Sequence, residues 1–223
     1  MLLELRRRWY LKQAPPGPLR DYLANPFPPA ARDYRKVSYL ALDLETTGLN
    51  QKKDHILSLG WVQLQGDRID LHSACHRLIY TTRAIPESSA VIHQITDDQA
   101  ATGEALTVVI RQLLDALAGK VLIAHHAAIE VGFLRRACRT CFGGDFIAPV
   151  IDTQRVAIRT LQRRQIAYRS AALRLQSLRE QYHLPRYGAH HALNDALAAA
   201  ELFLAQAAYK DGGRGVQLRD FLW

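Results

Sequence analysis

Apolar positions recur along this chain with two different periods. In the first third they come in short, nearly continuous runs. V-S-Y-L-A-L-D-L-E from Val37, H-I-L-S-L-G-W-V-Q-L from His55 and R-I-D-L-H-S-A-C-H-R-L from Arg68 predict three strands. The Q-G-D between the last two reads as a hairpin turn, so the three make an antiparallel meander. The period then changes. Leu106, Val109, Ile110, Leu113, Leu114 and Leu117 fall on one face of a helix. K-V-L-I-A is a short buried strand, residues 128–141 a helix, and F-I-A-P-V-I a further strand. Helices follow over about 152–165, 171–182 and 191–209, the last with Leu193, Ala196, Leu197, Ala200 and Leu204 on one face. A meander followed by alternating helices and strands predicts an α/β fold, a mixed sheet with helices packed on it. There are no internal repeats.

The ends read differently. Residues 1–36 predict a basic, proline-rich extension: a short helix to about Gln13, then A-P-P-G-P and N-P-F-P-P-A, where the prolines oppose any regular element. Such an arm packs on the main domain or binds a partner. The main domain is expected over 37–209. Residues 210–223, with D-G-G-R-G followed by V-Q-L-R-D-F-L-W, read as a flexible tail with an apolar end.

Composition narrows the class. With 48% hydrophobic and 22% charged residues in 223, the chain can bury a core of ordinary size. Cys138 and Cys141 form one C-x-x-C and Cys75 stands alone, which makes neither a disulfide framework nor a four-ligand zinc site. Reduced thiols, charges in the wrong order for a signal peptide, and no apolar run of about 18 residues predict a cytoplasmic protein without a membrane span. The net charge of +8 favours polyanionic partners. The excess sits in two segments. Residues 1–36 carry eight basic residues against three acids, and 152–186 carry eight arginines against Asp152 and Glu180. Arg155, Arg159 and Arg163 recur every fourth residue and share a helix face. That face is either solubilising or a track for phosphates.

Three acidic segments carry candidate chemistry. In D-L-E-T-T-G-L, Asp43 and Glu45 point the same way from a strand, with Leu40, Leu42 and Leu44 on its other face. Two adjacent carboxylates repel unless a cation joins them. In H-H-A-L-N-D, Asp195 falls about one turn into the last helix and His190 in the loop before it. In I-A-H-H-A-A-I-E, Glu130 falls in the first turn after a strand, with His125 and His126 in the turn between. Taken singly, the first is also read as exposed acids at a strand end. The other two are also read as acids favoured by a helix N-terminus.

Together, D-L-E-T-T-G-L, A-H-H-A-A-I-E-V-G-F-L and H-H-A-L-N-D-A-L resemble the three exonuclease motifs of the DEDD superfamily, in order and at matching separations. The histidine five residues before the last aspartate resembles the DEDDh branch, which includes the proofreading epsilon subunit of bacterial DNA polymerase III and ribonuclease T. I-P-E-S-S-A-V-I-H-Q-I-T and P-V-I-D-T-Q-R-V-A resemble two further family segments. The resemblance covers roughly residues 37–208. It implies a ribonuclease H-like fold, a five-stranded mixed sheet flanked by helices.

The resemblance also implies a 3′→5′ exonuclease, releasing nucleoside monophosphates from nucleic-acid 3′ ends by hydrolysis with two divalent cations, Mg²⁺ or Mn²⁺. Asp43 would bridge both ions, Glu45 and Asp195 would hold the one that activates water, and Glu130 would serve the other. His190 would take the proton from the attacking water. Thr46, Thr47, Gly48 and Leu49 would grip the terminal nucleotide, with Leu49 wedged beside the base. His93 borders the site. One motif departs from the family pattern. The usual middle segment reads H-N-A-x-F-D; here His126 replaces the asparagine, Ile129 the phenylalanine and Glu130 the aspartate. The glutamate keeps the charge and adds of order 1 Å of reach.

DNA is the favoured substrate, as single strands or in proofreading and repair. Ribonucleolytic action on RNA 3′ ends or short oligonucleotides is the alternative within the enzymes. A non-catalytic nucleic-acid-binding or polymerase-associated module is the alternative of another class. A polymerase or sliding clamp is a candidate partner, because Q-L-R-D-F-L-W resembles, with altered spacing, the glutamine-leucine-phenylalanine peptides that bind clamps. The oligomeric state has no signature in the sequence.

Overall fold

The expected meander is present. In a computed structural model, which describes residues 2–188, 190–213 and 215–223, β1 (Ser38–Thr46), β2 (Ile56–Gln65) and β3 (Arg68–Leu78) pair antiparallel. Gly66, at φ 62°, makes the tight turn between the last two. β4 (Val121–Ala124) then pairs parallel with β1, and β5 (Val150–Asp152) parallel with β4. The order β3-β2-β1-β4-β5 is a five-stranded mixed sheet. β5 is shorter than F-I-A-P-V-I predicts. Phe146, Ile147 and Ala148 are buried, but Pro149 has no N–H to donate, and the ladder runs only after it.

The helices are α1 (Leu2–Gln13), α2 (Pro18–Ala24), α3 (Glu87–His93), α4 (Asp97–Ala101), α5 (Leu106–Leu117), α6 (Ala128–Phe142), α7 (Thr153–Arg163), α8 (Leu175–Gln181) and α9 (Ala192–Asp211). On one face of the sheet Leu40, Leu42 and Leu122 pack against α5 and α6, with Leu19, Tyr22 and Leu23 of α2 completing the layer. On the other, Tyr39, Ala41 and Ile123 pack against Val156 of α7 and Ala200 and Phe203 of α9. The helix expected over 171–182 is divided at Arg174, whose extended ψ of 149° separates a 3₁₀ turn (Ser170–Leu173) from α8.

Both ends depart from the sequence reading. The proline-rich stretch contains α2 after all, because Pro18 sits in its first turn, where no backbone N–H is needed. Tyr22 donates to the Ile147 carbonyl at 2.9 Å, fixing the extension to the main domain, and Arg7 donates to the Leu23 carbonyl, tying α1 to α2. Residues 215–223 form a folded segment rather than a flexible tail. Leu218 and Phe221 are completely buried, and Phe221 meets Tyr34 and Phe203 edge-on. Leu218 N–H donates to Arg32, Arg219 N–H to Ala30 and Trp223 N–H to Val150. The apolar residues that a clamp-binding peptide would present therefore belong to the core. The arginine stripe on α7 is also partly used: Arg159 donates to the Phe221 and Leu222 carbonyls at 2.7 and 3.0 Å, and Arg155 lies over the Trp223 ring. No helix among the described residues is long and apolar enough to cross a membrane.

Candidate active site

Asp43 and Glu45 point from β1 toward the α9 layer, opposite the leucines that face α5 and α6. Asp195 reaches them from the first turn of α9. One carboxylate oxygen from each of the three lies within 4.8 Å of the others. The backbone explains how α9 comes so near. Gly60 on β2 stands opposite Asp43, and a Cβ there would lie 2.1 Å from Leu193 N and 2.2 Å from the Ala192 carbonyl carbon. The start of α9 thus rests on bare strand backbone. One strand further out, His76 pairs with Gly60. Its ring stacks on His191, with centroids 4.3 Å apart. Asp43, Gly60 and His76 form a row across three strands that seats the end of α9.

Glu130 enters from α6, around the end of the sheet. It is 4% exposed, and its Oε2 has no hydrogen-bond partner. The turn before α6 is held by Asp152, whose carboxylate accepts the N–H groups of His126 and Ala127 on one side and of Gln154 and Arg155 on the other. His125 is part of this scaffold. Its Nε2 donates to the Leu173 carbonyl at 3.0 Å and its Nδ1 shares a hydrogen bond with the Thr153 hydroxyl at 2.8 Å. Burial pushes its pKa down to about 4, which keeps the ring neutral. His126 adopts φ 65°. That left-handed conformation favours asparagine and admits histidine, so His126 suits the backbone at this position.

The four carboxylates share an electrostatic strain. Withdrawal from water is the largest cause for each. It raises Glu45 to about 7, with Asp195 adding repulsion, and Glu130 to about 8, with Asp152 adding repulsion. Asp43 is raised well above the usual carboxylate range, and after burial the repulsions of Glu130, Asp195 and Glu45 contribute in that order. Asp195 is raised less freely, because the His190 N–H and the neighbouring imidazoles oppose the burial. Among the described residues, no ion pair includes any of the four. Clustered acidic oxygens, one orphaned and buried, could hold a hard divalent cation. Glu130 stands outside the tight group of three, yet it is the strongest charged neighbour of Asp43.

His190 is exposed, in a left-handed backbone conformation at φ 63°, and its N–H donates to Asp195 Oδ2 at 2.8 Å. The loop before it is tied down from behind. Arg179 of α8 is buried and donates to the Pro185 and Ala198 carbonyls and to Glu201, each at 2.7 Å. His93, on α3, is buried, with Nδ1 accepting the Ile95 N–H and Nε2 unpaired. It borders, with His76, His190 and His191, a cleft of about 440 Å³. After β1 the chain turns tightly. Thr46 Oγ1 donates to the Gly48 carbonyl, and Thr47 exchanges hydrogen bonds with the His55 backbone. A Cβ on Gly48 would lie 2.5 Å from Asp54 Oδ2. Leu49 stands 72% exposed at the rim. Gln51 donates to the Ala128 carbonyl, and Arg136 of α6 donates to the Gln51 and Asp54 carbonyls, so this rim is fastened to the helix that carries Glu130.

The candidate metal, catalytic and substrate-binding residues therefore lie around one end of the sheet. Four positioning groups escaped that reading. Gly60 had a signal, a glycine inside a strongly apolar strand. Asp152 lay in the segment P-V-I-D-T-Q without an assigned task. The His76–His191 pair and Arg136 had none, because their contacts are long-range.

The family model described as exonuclease matches residues 40–203. The chain belongs to the exonuclease family. Its matched segment is a nuclease domain of that family, a hydrolase. It is 32% identical over 179 residues to the DNA polymerase III subunit epsilon of Treponema pallidum, covering 79% of each chain. It is 30% identical over 192 residues to the PolC-type DNA polymerase III of Thermotoga maritima, covering 83% of this chain and 13% of that one. The exonuclease thus spans only a small part of its PolC-type relatives. Among solved structures it resembles Escherichia coli ExoI in a complex with single-stranded DNA (TM-score 0.65, 13% identity, 79% of this chain and 41% of that one). It also resembles exonuclease X in complex with 5′-overhanging duplex DNA (TM-score 0.62, 20% identity, 82% and 98%). At these identities the structural likeness concerns the fold, the ribonuclease H-like arrangement expected from the motifs.

Proposed function

We propose that this exonuclease removes nucleoside 5′-monophosphates one at a time from DNA 3′ ends. The observation that carries this reading is the convergence of Asp43, Glu45 and Asp195 beside an exposed histidine, His190, whose backbone Asp195 holds. Two divalent cations, Mg²⁺ or Mn²⁺, held by these acids and Glu130, would neutralise charge on the scissile phosphate and make water a better nucleophile. Hard oxygen donors with no thiolate among them favour those ions.

The chain's own groups do the rest. The tight turn Thr46–Leu49 receives the terminal nucleotide, with Leu49 against its base. His93, which lines the cleft and has an unpaired buried nitrogen, borders the phosphate side. His190 accepts the proton as water attacks phosphorus, and the bond to the 3′ oxygen of the preceding nucleotide breaks. The released nucleotide carries the 5′ phosphate. DNA is favoured because the relatives are named for DNA polymerase III and both structural neighbours hold DNA. Association with a replicative polymerase is supported by the same names.

The test is degradation of matched 3′-labelled DNA and RNA, single- and double-stranded, with Mg²⁺ and with Mn²⁺. DNA should be shortened from its 3′ end, and Asp43→Ala or His190→Ala should remove the activity. Full activity in either variant sinks the mechanism, and preference for RNA sinks the substrate.

A further inference from the structure

From Thr153 to Arg179 the chain holds seven arginines and no carboxylate. The structure divides them. Arg179 is buried against Glu201, Arg159 holds the C-terminal carbonyls, and Arg155 lies over Trp223. The other four, Arg163, Arg164, Arg169 and Arg174, are exposed. None is within ion-pair distance of a carboxylate among the described residues. Arg164 hydrogen-bonds the Tyr209 hydroxyl. Tyr168 and Ile166, 38% and 47% exposed, stand between these arginines. A surface that serves solubility alone intersperses both signs of charge. This one does not.

Its position gives it a direction. The segment ends where the Leu173 carbonyl takes His125 Nε2 and Gln154 Nε2, beside the turn that leads to Glu130. Arg174 is therefore at the edge of the site. Arg164 is at the far end, against Tyr209 of α9. From Asp195 to Tyr209 along that helix is about 21 Å at about 1.5 Å per residue. A stacked strand rising about 3.4 Å per nucleotide covers that length in about six nucleotides.

We propose that Arg163, Arg164, Arg169 and Arg174, with Tyr168 as a stacking platform, form a track for the phosphates of a single strand whose 3′ end occupies the acidic site. The inference rests on the proposed exonuclease reading and adds to it a substrate class, single strands of at least about six nucleotides. The chemistry recognised is the phosphodiester backbone, common to DNA and RNA.

The experiment compares the full chain with an Arg163→Gln, Arg164→Gln, Arg169→Gln triple variant, which leaves Arg174 at the site edge untouched, and with Arg111→Gln on α5 across the sheet as control. Binding of fluorescein-labelled oligothymidylates and oligouridylates of about three and about twelve nucleotides is read by anisotropy in EDTA, across a salt series. Hydrolysis of the p-nitrophenyl ester of thymidine 5′-monophosphate reports on the catalytic site alone. The triple variant should bind the longer strands at least about tenfold more weakly, with the log–log salt slope reduced by about 2. It should bind the short ones and hydrolyse the ester as wild type does. Unchanged affinity and slope for long strands overturn the track. Equal losses on ester and strand also overturn it, because the arginines would then act through the site or the fold. A wild-type chain inert toward ester and strand, yet binding long strands through the arginines, refutes the exonuclease reading and leaves the track standing.

Discussion

Glu130 shows what one methylene changes. The family's usual aspartate would stop about 1.5 Å short of where this carboxylate ends. Here the longer chain ends in an orphaned, buried Oε2, and its carboxylate acts electrostatically on Asp43. Charge at this position matters more than reach, so Glu130→Asp should keep activity within about tenfold. Glu130→Gln, which keeps shape and removes the charge, should lower kcat by about a hundredfold or more. Steady-state kinetics on a 3′-labelled strand measure both. An inactive Glu130→Asp enzyme would mean that the turn around His126 is built for the longer side chain. The role of Glu130 was legible in the sequence only through its neighbours, since an acid in the first turn of a helix is common. Its burial was not legible, because that depends on α6 meeting the sheet end.

At the scale of elements, the seat of α9 joins the site to the outer strands. His76 on β3 holds His191 just before α9, while Gly60 lets the helix touch β2. His190 and Asp195 lie on either side of that contact. His76→Ala and His191→Ala should each lower kcat about tenfold with little change in KM, and the double variant should lose little more. Phenylalanine at position 76 should restore much of the rate, because the stacking face is what matters. Additive losses, or no rescue, would rule out a coupled pair. Period and turn signals placed α5, α6, α7, α9 and the meander within a few residues, since each buries one regular stripe against the sheet. They failed at Arg174 and at Pro149, where a single backbone conformation or a missing donor overrides the apolar pattern.

For the whole molecule, the acidic site sets a link between pH and stability. Glu45 and Glu130 are raised to about 7 and about 8 in the folded chain, above the ordinary carboxylate value near 4.5. The folded state therefore holds protons that the unfolded chain has released. Stability from these groups is full below the unfolded pKa and is lost as pH rises through the folded values. Without metal, the melting temperature should fall between about pH 6.5 and about pH 8.5. Mg²⁺ or Mn²⁺ should raise it most at the alkaline end, since only ionised carboxylates bind the ions. A metal-free melting temperature that rises with pH in scanning calorimetry would contradict this account. The chain ends also act at this scale. Phe221→Ala should cost about 3 kcal/mol, read by denaturant unfolding, because the ring is fully buried between Tyr34 and Phe203. A near-neutral change would mean that the C-terminal segment is detached in solution.

The sequence by itself determined the mixed sheet, the family and the acids, because periodicity and short motifs are local and survive any reading order. Tertiary structure alone decided that three acids share a few ångströms and that Glu130 is buried. It also decided that the two chain ends close over the core and that four of seven arginines remain exposed without a carboxylate partner among the described residues. Each of those outcomes depends on which surfaces meet, and the pairing of distant segments is set by burial across the whole fold rather than by any one stretch of residues.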